Sequence, residues 1–204
     1  DGKVRFVVAD GVYGNAVVYA YGAGGNEEIL WSWHVWVPEQ QVESLPMITG
    51  FNVMNMNLGA TTAAAADVNA FGLCYQWGRK DPFTGAPTLT GNTSTLAKPI
   101  YNIDGEEGEF DAVMTPQSVE FAIANPGTFI APYGVDYADW CSTSDDALWG
   151  NPEGNYREQG SLKYENLGEK SMYDPCPAGW RVPPIMAFSK FTSTGAAVIG
   201  NYAS

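Results

Sequence analysis

Apolar and polar residues alternate along the start of the chain in a way that predicts strands. Val4, Phe6 and Val8 lie two apart, and Val17, Val18, Tyr19 and Tyr21 follow a Gly14-Asn15 turn, so Lys3 to Asp10 and Ala16 to Tyr21 read as two strands. Gly22-Ala23-Gly24-Gly25-Asn26 is a tight connection into a third strand, Ile29 to Val37. Because strand side chains alternate, Trp31, Trp33 and Val35 share one face of it and Ser32, His34 and Trp36 the other. Large residues on both faces predict a central or sandwiched strand, ended by Pro38.

Beyond Pro38 the pattern weakens. Ala60 to Ala70 contains Ala63-Ala64-Ala65-Ala66, good helix formers with poor capping, and reads as a short helix or a loop. Leu73 to Trp77 is a short strand entering the turn Gly78-Arg79-Lys80-Asp81-Pro82, which Asp81 is expected to close through its own backbone. Residues 85–102, rich in Thr, Gly, Asn and Pro, read as a surface insertion, and a second loop-rich stretch runs over 142–170. Between them, 115–127 reads as a helix or single turn: Thr115 suits the cap, Pro116 the first helical position, and Asn125-Pro126 the stop.

These elements predict an α+β fold that is loop-rich and mainly antiparallel β, with a short helix or two. The 204 residues are read as a single domain, 1–204, with 1–38 as an N-terminal β segment and 85–170 as a loop-rich insertion. A hydrophobic content of 45% argues against general disorder, and 36 Gly and Pro residues (23 plus 13) demand many turns. The net charge of -13 disfavours nucleic acid and anionic lipid as partners. No apolar run approaches the ~20 residues of a transmembrane helix. The start, Asp1-Gly2-Lys3-Val4, reads as that of a mature or trimmed chain whose signal or lipobox Cys lies outside it.

Three blocks set Trp beside Gly, Pro or a lone charge: Trp31-Ser32-Trp33-His34-Val35-Trp36, Leu73-Cys74-Tyr75-Gln76-Trp77-Gly78-Arg79-Lys80-Asp81-Pro82-Phe83 and Tyr173-Asp174-Pro175-Cys176-Pro177-Ala178-Gly179-Trp180-Arg181-Val182-Pro183. With Met54-Asn55-Met56-Asn57-Leu58-Gly59-Ala60 they resemble, in order, four motifs of Bacteroidetes surface proteins: I-L-W-S-W-H-[IV]-W, M-D-R-N-L-G-A, Y-Q-W-G-R-K-D-P-F and Y-D-P-C-P-x-G-W-R-[VL]-P. This is the Fibrobacter succinogenes major paralogous domain, often appended to fimbrillin-like modules. The resemblance covers about Gly14 to Pro183, with a variable insert between Pro82 and Ser171. Its G-W-R-[VL]-P element also resembles one in C-type-lectin-like folds, so the resemblance implies a C-type-lectin-like architecture and a surface adhesive role. Two departures stand out. Asn55 and Met56 replace the family's Asp and Arg, and the family's domain continues past G-W-R-V-P, so the chain is expected to be a fragment or to lack the C-terminal half.

Candidate chemistry is sparse. The sole His, His34, lies within an aromatic strand, and no G-x-S-x-G, H-E-x-x-H, P-loop or dinucleotide fingerprint occurs, so the chain is read as non-enzymatic. Cys74, Cys141 and Cys176 lack metal-ligand spacing and read as buried small hydrophobes, a Cys141–Cys176 disulfide being the alternative. The acidic stretch over 102–111 offers Asp104, Glu106, Glu109 and Asp111 as oxygen ligands for Ca²⁺; a solvated acidic turn is the commoner outcome, and no cofactor is expected. Asp136, Asp139, Asp145 and Asp146 form a looser cluster of the same kind. Neither of the calcium-sugar motifs of C-type lectins is present.

Trp140, Trp149, Tyr133, Tyr137 and Tyr156 fall in the polar insert, where exposed aromatics would form a ligand platform; the alternative is that they cover a small core of their own. Trp31, Trp33, Trp77 and Trp180 are assigned to the main core, and Arg181 to a pairing with a carboxylate or backbone carbonyls. Two functions remain. One is a cell-surface adhesin or pilus-associated protein whose partners are other surface or pilus subunits. The other is the glycan-binding module of an outer-membrane nutrient-capture lipoprotein, binding host or dietary glycans. Either places the chain outside the cell, anchored to the outer membrane or secreted.

Overall fold

The computed structural model describes residues 4–24, 28–47, 50–64, 66–84, 100, 111–132, 139–145, 147–150, 169–183 and 187. Small sheets dominate and helix is scarce. Strands β1 (Gly14–Tyr21) and β2 (Ile29–Val37) form an antiparallel hairpin with Val17 opposite His34 and Asn15 opposite Trp36. Strands β3 (Ser44–Pro46) and β4 (Asn52–Met54) form a second, and β5 (Asp111–Val113) pairs in parallel with β6 (Thr128–Ile130) across helix α1 (Val119–Ala124).

Helix α1 starts later than Thr115 and Pro116 suggest. Ser118 caps it, its hydroxyl accepting from Phe121 N at 3.1 Å, and Asn125 ends it before Pro126. Among the described residues of 60–70 there is no α-helix; only a 3₁₀ turn at Val68–Ala70 appears, started by Asp67. Alanine propensity does not nucleate a helix unless caps or packing repay the first turn. Leu73 to Trp77 reduces to a single bridge, Cys74 to Phe83.

The largest departure lies at the N-terminus. Val4 to Asp10 carry the alternation of a strand, yet they belong to no sheet, and Val7 is 98% exposed. Strand propensity is realised on a pleated surface with a partner, and no partner edge stands beside this segment among the described residues. For the same reason β2 is covered on both faces without being central: its only hydrogen-bonded neighbour among the described residues is β1.

The core gathers Ala122, Ile130, Trp140, Cys141 and Leu148, with Val113, Val119, Phe121 and Tyr173 packed against it. Most of these residues fall within 85–170, so the described part of the insertion supplies framework. Trp140, offered as a platform aromatic, is corrected to a core residue: it is 5% exposed and its indole N–H donates to Trp77 O. Trp77, assigned to the core, is corrected in the opposite sense, being 52% exposed. Trp31, Trp33 and Trp180 are partly buried. The exchange between Trp77 and Trp140 has a local cause. Gly78 turns the chain at φ +86, and a Cβ there would lie 2.8 Å from Leu148 Cδ1, so the loop presses its backbone inward and turns the preceding indole out.

Trp140→Ala should therefore lower stability by ~3–5 kcal/mol, as expected for a large buried aromatic whose site cannot collapse. Equilibrium urea unfolding checks this, and a loss below ~1 kcal/mol would show that Trp140 is not core.

Candidate functional site

The Leu73 to Phe83 block organises the described structure through its polar side chains. Arg79, 2% exposed, donates from Nη1 to Thr128 O at 2.7 Å and Gln76 Oε1 at 2.9 Å, and from Nη2 to Asn125 O at 3.3 Å and the carbonyls of Ala122 and Pro126 at 3.5 Å. These carbonyls include the open end of α1, where the backbone dipole favours a cation. The guanidinium also faces the rings of Phe83 and Trp140 at 5.1 and 5.7 Å. Burial lowers its pKa to about 10, so it remains charged at neutral pH. Gln76 adds a surrogate strand to β6, donating to Ile130 O at 2.6 Å and accepting from Ile130 N at 3.1 Å.

Lys80 turns the other way, toward the first hairpin. Its Nζ donates to Asp81 Oδ1 at 2.7 Å, to Ser32 O at 3.2 Å and to Ser32 Oγ, and lies 4.5 Å from the centre of the Trp31 ring. Ser32 Oγ in turn donates to Asp81 Oδ1. A serine, a lysine of lowered pKa and a carboxylate resemble an activated nucleophile, but Ser32 is 2% exposed and every member is bonded to the others. The trio is a buried clasp. Asp81 thus works structurally, through Ser32 and Lys80.

The turn chemistry expected of Asp81 is found at Asp174. Its Oδ1 accepts from Cys176 N at 2.9 Å and from Lys170 Nζ at 2.6 Å, and its Oδ2 accepts from Val182 N at 2.8 Å, closing the Tyr173 to Pro183 loop. Arg181 Nη2 donates to Gly150 O at 3.2 Å, the carbonyl pairing expected of it.

His34 is the middle of a fixed relay. Asn15 Nδ2 donates to Gly59 O at 2.8 Å, which leaves Asn15 Oδ1 to accept from His34 Nε2 at 2.9 Å; His34 Nδ1 then accepts from the Tyr75 hydroxyl at 2.9 Å. Burial lowers the His34 pKa to about 4 and holds Tyr75 well above its ordinary value, so both stay neutral. Trp36 Nε1 donates to Ala60 O at 2.6 Å, a second tie from the hairpin to the Leu58-Gly59-Ala60 loop.

Two surface features remain. The exposed Trp77 indole stands beside Trp149, ring centroids 4.6 Å apart, and Trp149 is anchored by its N–H to Arg79 O at 2.9 Å. A groove of about 490 Å³ is lined by the β3–β4 hairpin together with Trp149, Pro175 and Trp180. Of the platform residues, Trp149 is therefore partly open, whereas Tyr133, Tyr137 and Tyr156 lie outside the described residues. Trp77 was missed because its block reads as framework throughout, and no sequence signal separates its one outward ring from the inward ones.

Of the acidic candidates, Asp104, Glu106, Glu109, Asp136 and Asp146 lie outside the described residues. Asp111 is exposed on β5. Asp139 and Asp145 accept from the backbone N–H of Cys141 and Ala147, two residues on, as turn residues do. Among the described residues no group of three His, Cys, Asp or Glu side chains could hold a metal ion. The three cysteines are free thiols; burial raises Cys141, and burial followed by Asp174 pushes Cys176 up to about 12, so neither is a ready thiolate. No helix among the described residues is long and apolar enough to cross a membrane. No protein-family model, curated protein or solved structure matches the chain.

Arg79→Met should cost ~3–5 kcal/mol, because it strands buried carbonyls around a lost cation; urea unfolding measures it, and a neutral effect would remove Arg79 from the centre of the fold. His34 yields a pH dependence. Its pKa is about 4 folded against 6.5 unfolded, so the unfolded chain binds the extra proton. Stability from this group is present above pH 6.5 and is lost as pH falls toward 4, in total ~3 kcal/mol. Unfolding midpoints of wild type and His34→Gln across this window should converge as pH falls; parallel curves would show that His34 is not held neutral.

Proposed function

We propose that this chain is a non-enzymatic, cofactor-independent adhesion module of a bacterial cell surface, related to the Fibrobacter succinogenes major paralogous domain and built on a C-type-lectin-like framework. Its work is attachment, either to other surface or pilus subunits or to the surfaces they meet. The four ordered motifs support the family reading. The small sheets and scarce helix of the described residues are compatible with a β-rich fold. The polar motif residues Arg79, Lys80, Asp81 and Asp174 are committed to internal bonds, which supports a module whose motif chemistry serves folding.

The observation that carries the reading is the half-exposed Trp77 indole braced against Trp149. An exposed, rigid aromatic pair is costly to keep in water and is the kind of anchor that dominates binding surfaces. The same pair favours the second reading, a glycan-binding module of a nutrient-capture lipoprotein, because the flat apolar face of a sugar stacks on indole. A net charge of -13 steers either partner away from acidic surfaces.

Trp77→Ala tests both readings, since a half-exposed ring can be removed with little loss of stability. Binding to whole cells and to a glycan array is expected to fall at least tenfold while the thermal melt stays within a few degrees of wild type. Loss on the array supports the glycan reading, and loss on cells alone supports a protein partner. Undiminished binding in both assays would sink the indole platform.

A further inference from the structure

Three stretches far apart in the chain meet on the groove of about 490 Å³ beside β4: Met54 to Leu58, Tyr75, and Trp180 to Pro183 all line it. A concavity of this size is in the range of small-ligand sites. Val53, Met54, Met56, Leu58 and Trp149 supply its apolar surface, and methionine walls adapt to ligands of varied shape. Trp149 has a second role. The ring that lines the groove also stands 4.6 Å from that of Trp77, centroid to centroid, so the groove and the exposed indole are parts of one continuous surface.

The polar side chains of the groove are neutral and only partly used by the fold. Asn55 Oδ1 accepts from Glu43 N at 3.0 Å, which leaves its Nδ2 to donate; Asn57 Nδ2 donates to Ala70 O at 3.0 Å, which leaves its Oδ1 to accept. Thr62 Oγ1 accepts from Ala64 N at 3.1 Å and keeps its own proton to give. The Asn52 amide and the Trp180 indole N–H have no partner among the described residues. Charge is nearly absent. In a chain with 23 acidic residues no described Asp or Glu lines the groove, and Arg181, the one charged residue that does, donates to Gly150 O at 3.2 Å.

Such a lining selects its ligand by chemistry. A cation finds no carboxylate there, and an anion finds a single guanidinium that is already engaged. A wholly apolar ligand would cover the amides and leave them without partners. A sugar meets both demands, because its hydroxyls donate and accept while its ring presents a flat apolar face to indole. We infer that the groove is a subsite for an uncharged oligosaccharide, which runs from Trp77 over Trp149 and ends among Asn52, Asn55, Asn57 and Trp180. This subsite rests on the glycan reading of the Trp77 surface and deepens it: the ligand is neutral and longer than one sugar unit. Affinity therefore rises with chain length, since the second sugar is held near its subsite once the first is bound.

The test is isothermal titration calorimetry of the intact chain with malto-, cello-, xylo- and mannooligosaccharides, from the mono- to the hexasaccharide, and with oligogalacturonides as the acidic control. Wild type is expected to bind at least one neutral series, more tightly as it lengthens. In Asn52→Ala, and in Trp180→Phe, which keeps a ring and removes the N–H, this gain with length should be lost and the longest member should bind roughly fivefold more weakly. Trp77→Ala should weaken every member. In wild type the indole N–H resonance of Trp180 should shift on addition of the bound oligosaccharide, a readout that needs no variant. If Trp77→Ala loses binding while both groove variants bind as wild type does and the Trp180 resonance stays in place, the glycan reading stands and the subsite is overturned. Tighter binding of the oligogalacturonides overturns it as well, and failure of wild type to bind any saccharide overturns the subsite together with the glycan reading.

Discussion

The buried guanidinium of Arg79 is the constraint on which the rest of the structure depends. A charge taken out of water is tolerated only where fixed dipoles replace its hydration, and here the replacement comes from chain far away in sequence: Thr128, Asn125, Pro126 and Ala122, the end of α1 and the start of β6. Ala122 O, at the open end of α1, gains a donor in Arg79, and Asn125 O, which already accepts from Thr128 N, gains a second. One cation thereby fixes the Gly78 turn against the helix. Neighbouring bonds spread the constraint: Gln76 extends β6, Lys80 and Asp81 reach back to Ser32 on β2, and the carbonyls of Trp77 and Arg79 receive the indoles of Trp140 and Trp149.

A short polar block surrounded by aromatics thus substitutes for a large continuous sheet. The described sheets each have two strands, too few to stand alone in water. Side-chain bonds to backbone join them: Asn15 and Trp36 to the Gly59-Ala60 loop, Asp174 across its own loop, Arg181 to Gly150. Side chains so committed cannot also meet a ligand, and so surface function falls to what the framework leaves outside, the Trp77 indole and the groove beside β4. Cations and carboxylates hold this fold together, whereas apolar surface is what it presents.

Much of the local structure was legible in the chain. Ala16 to Tyr21 and Ile29 to Val37 were readable as strands and Asn125-Pro126 as the stop of α1, because such signals act within a few residues, whereas Gly14 and Asn15, expected to form a turn, are already paired in β1 opposite Val37 and Trp36 and the turn lies at Asp10 and Gly11. The pairing of Arg181 with a carbonyl was foreseeable for the same kind of reason: a guanidinium in an apolar loop must have acceptors. The Ser32–Lys80–Asp81 clasp and the Asn15–His34–Tyr75 relay were not legible, since each joins residues more than forty positions apart and no spacing rule connects them.

What the sequence by itself determined were the residues that must be turned, capped or paired: the glycines at positive φ, the strand-forming Trp block, and the polar motif residues that no apolar core would accept alone. Tertiary structure alone decided which indole faces water. Trp77 and Trp140 are chemically identical, and each sits near glycine, aspartate or cysteine in a segment with no periodic pattern. Their fates were set by where Gly78 presses against Leu148 and where the Arg79 cradle closes. Likewise Val4 to Val8 have every local property of a strand and form none, because a strand is completed by a partner edge, and an edge is a property of the folded assembly that no residue carries in itself.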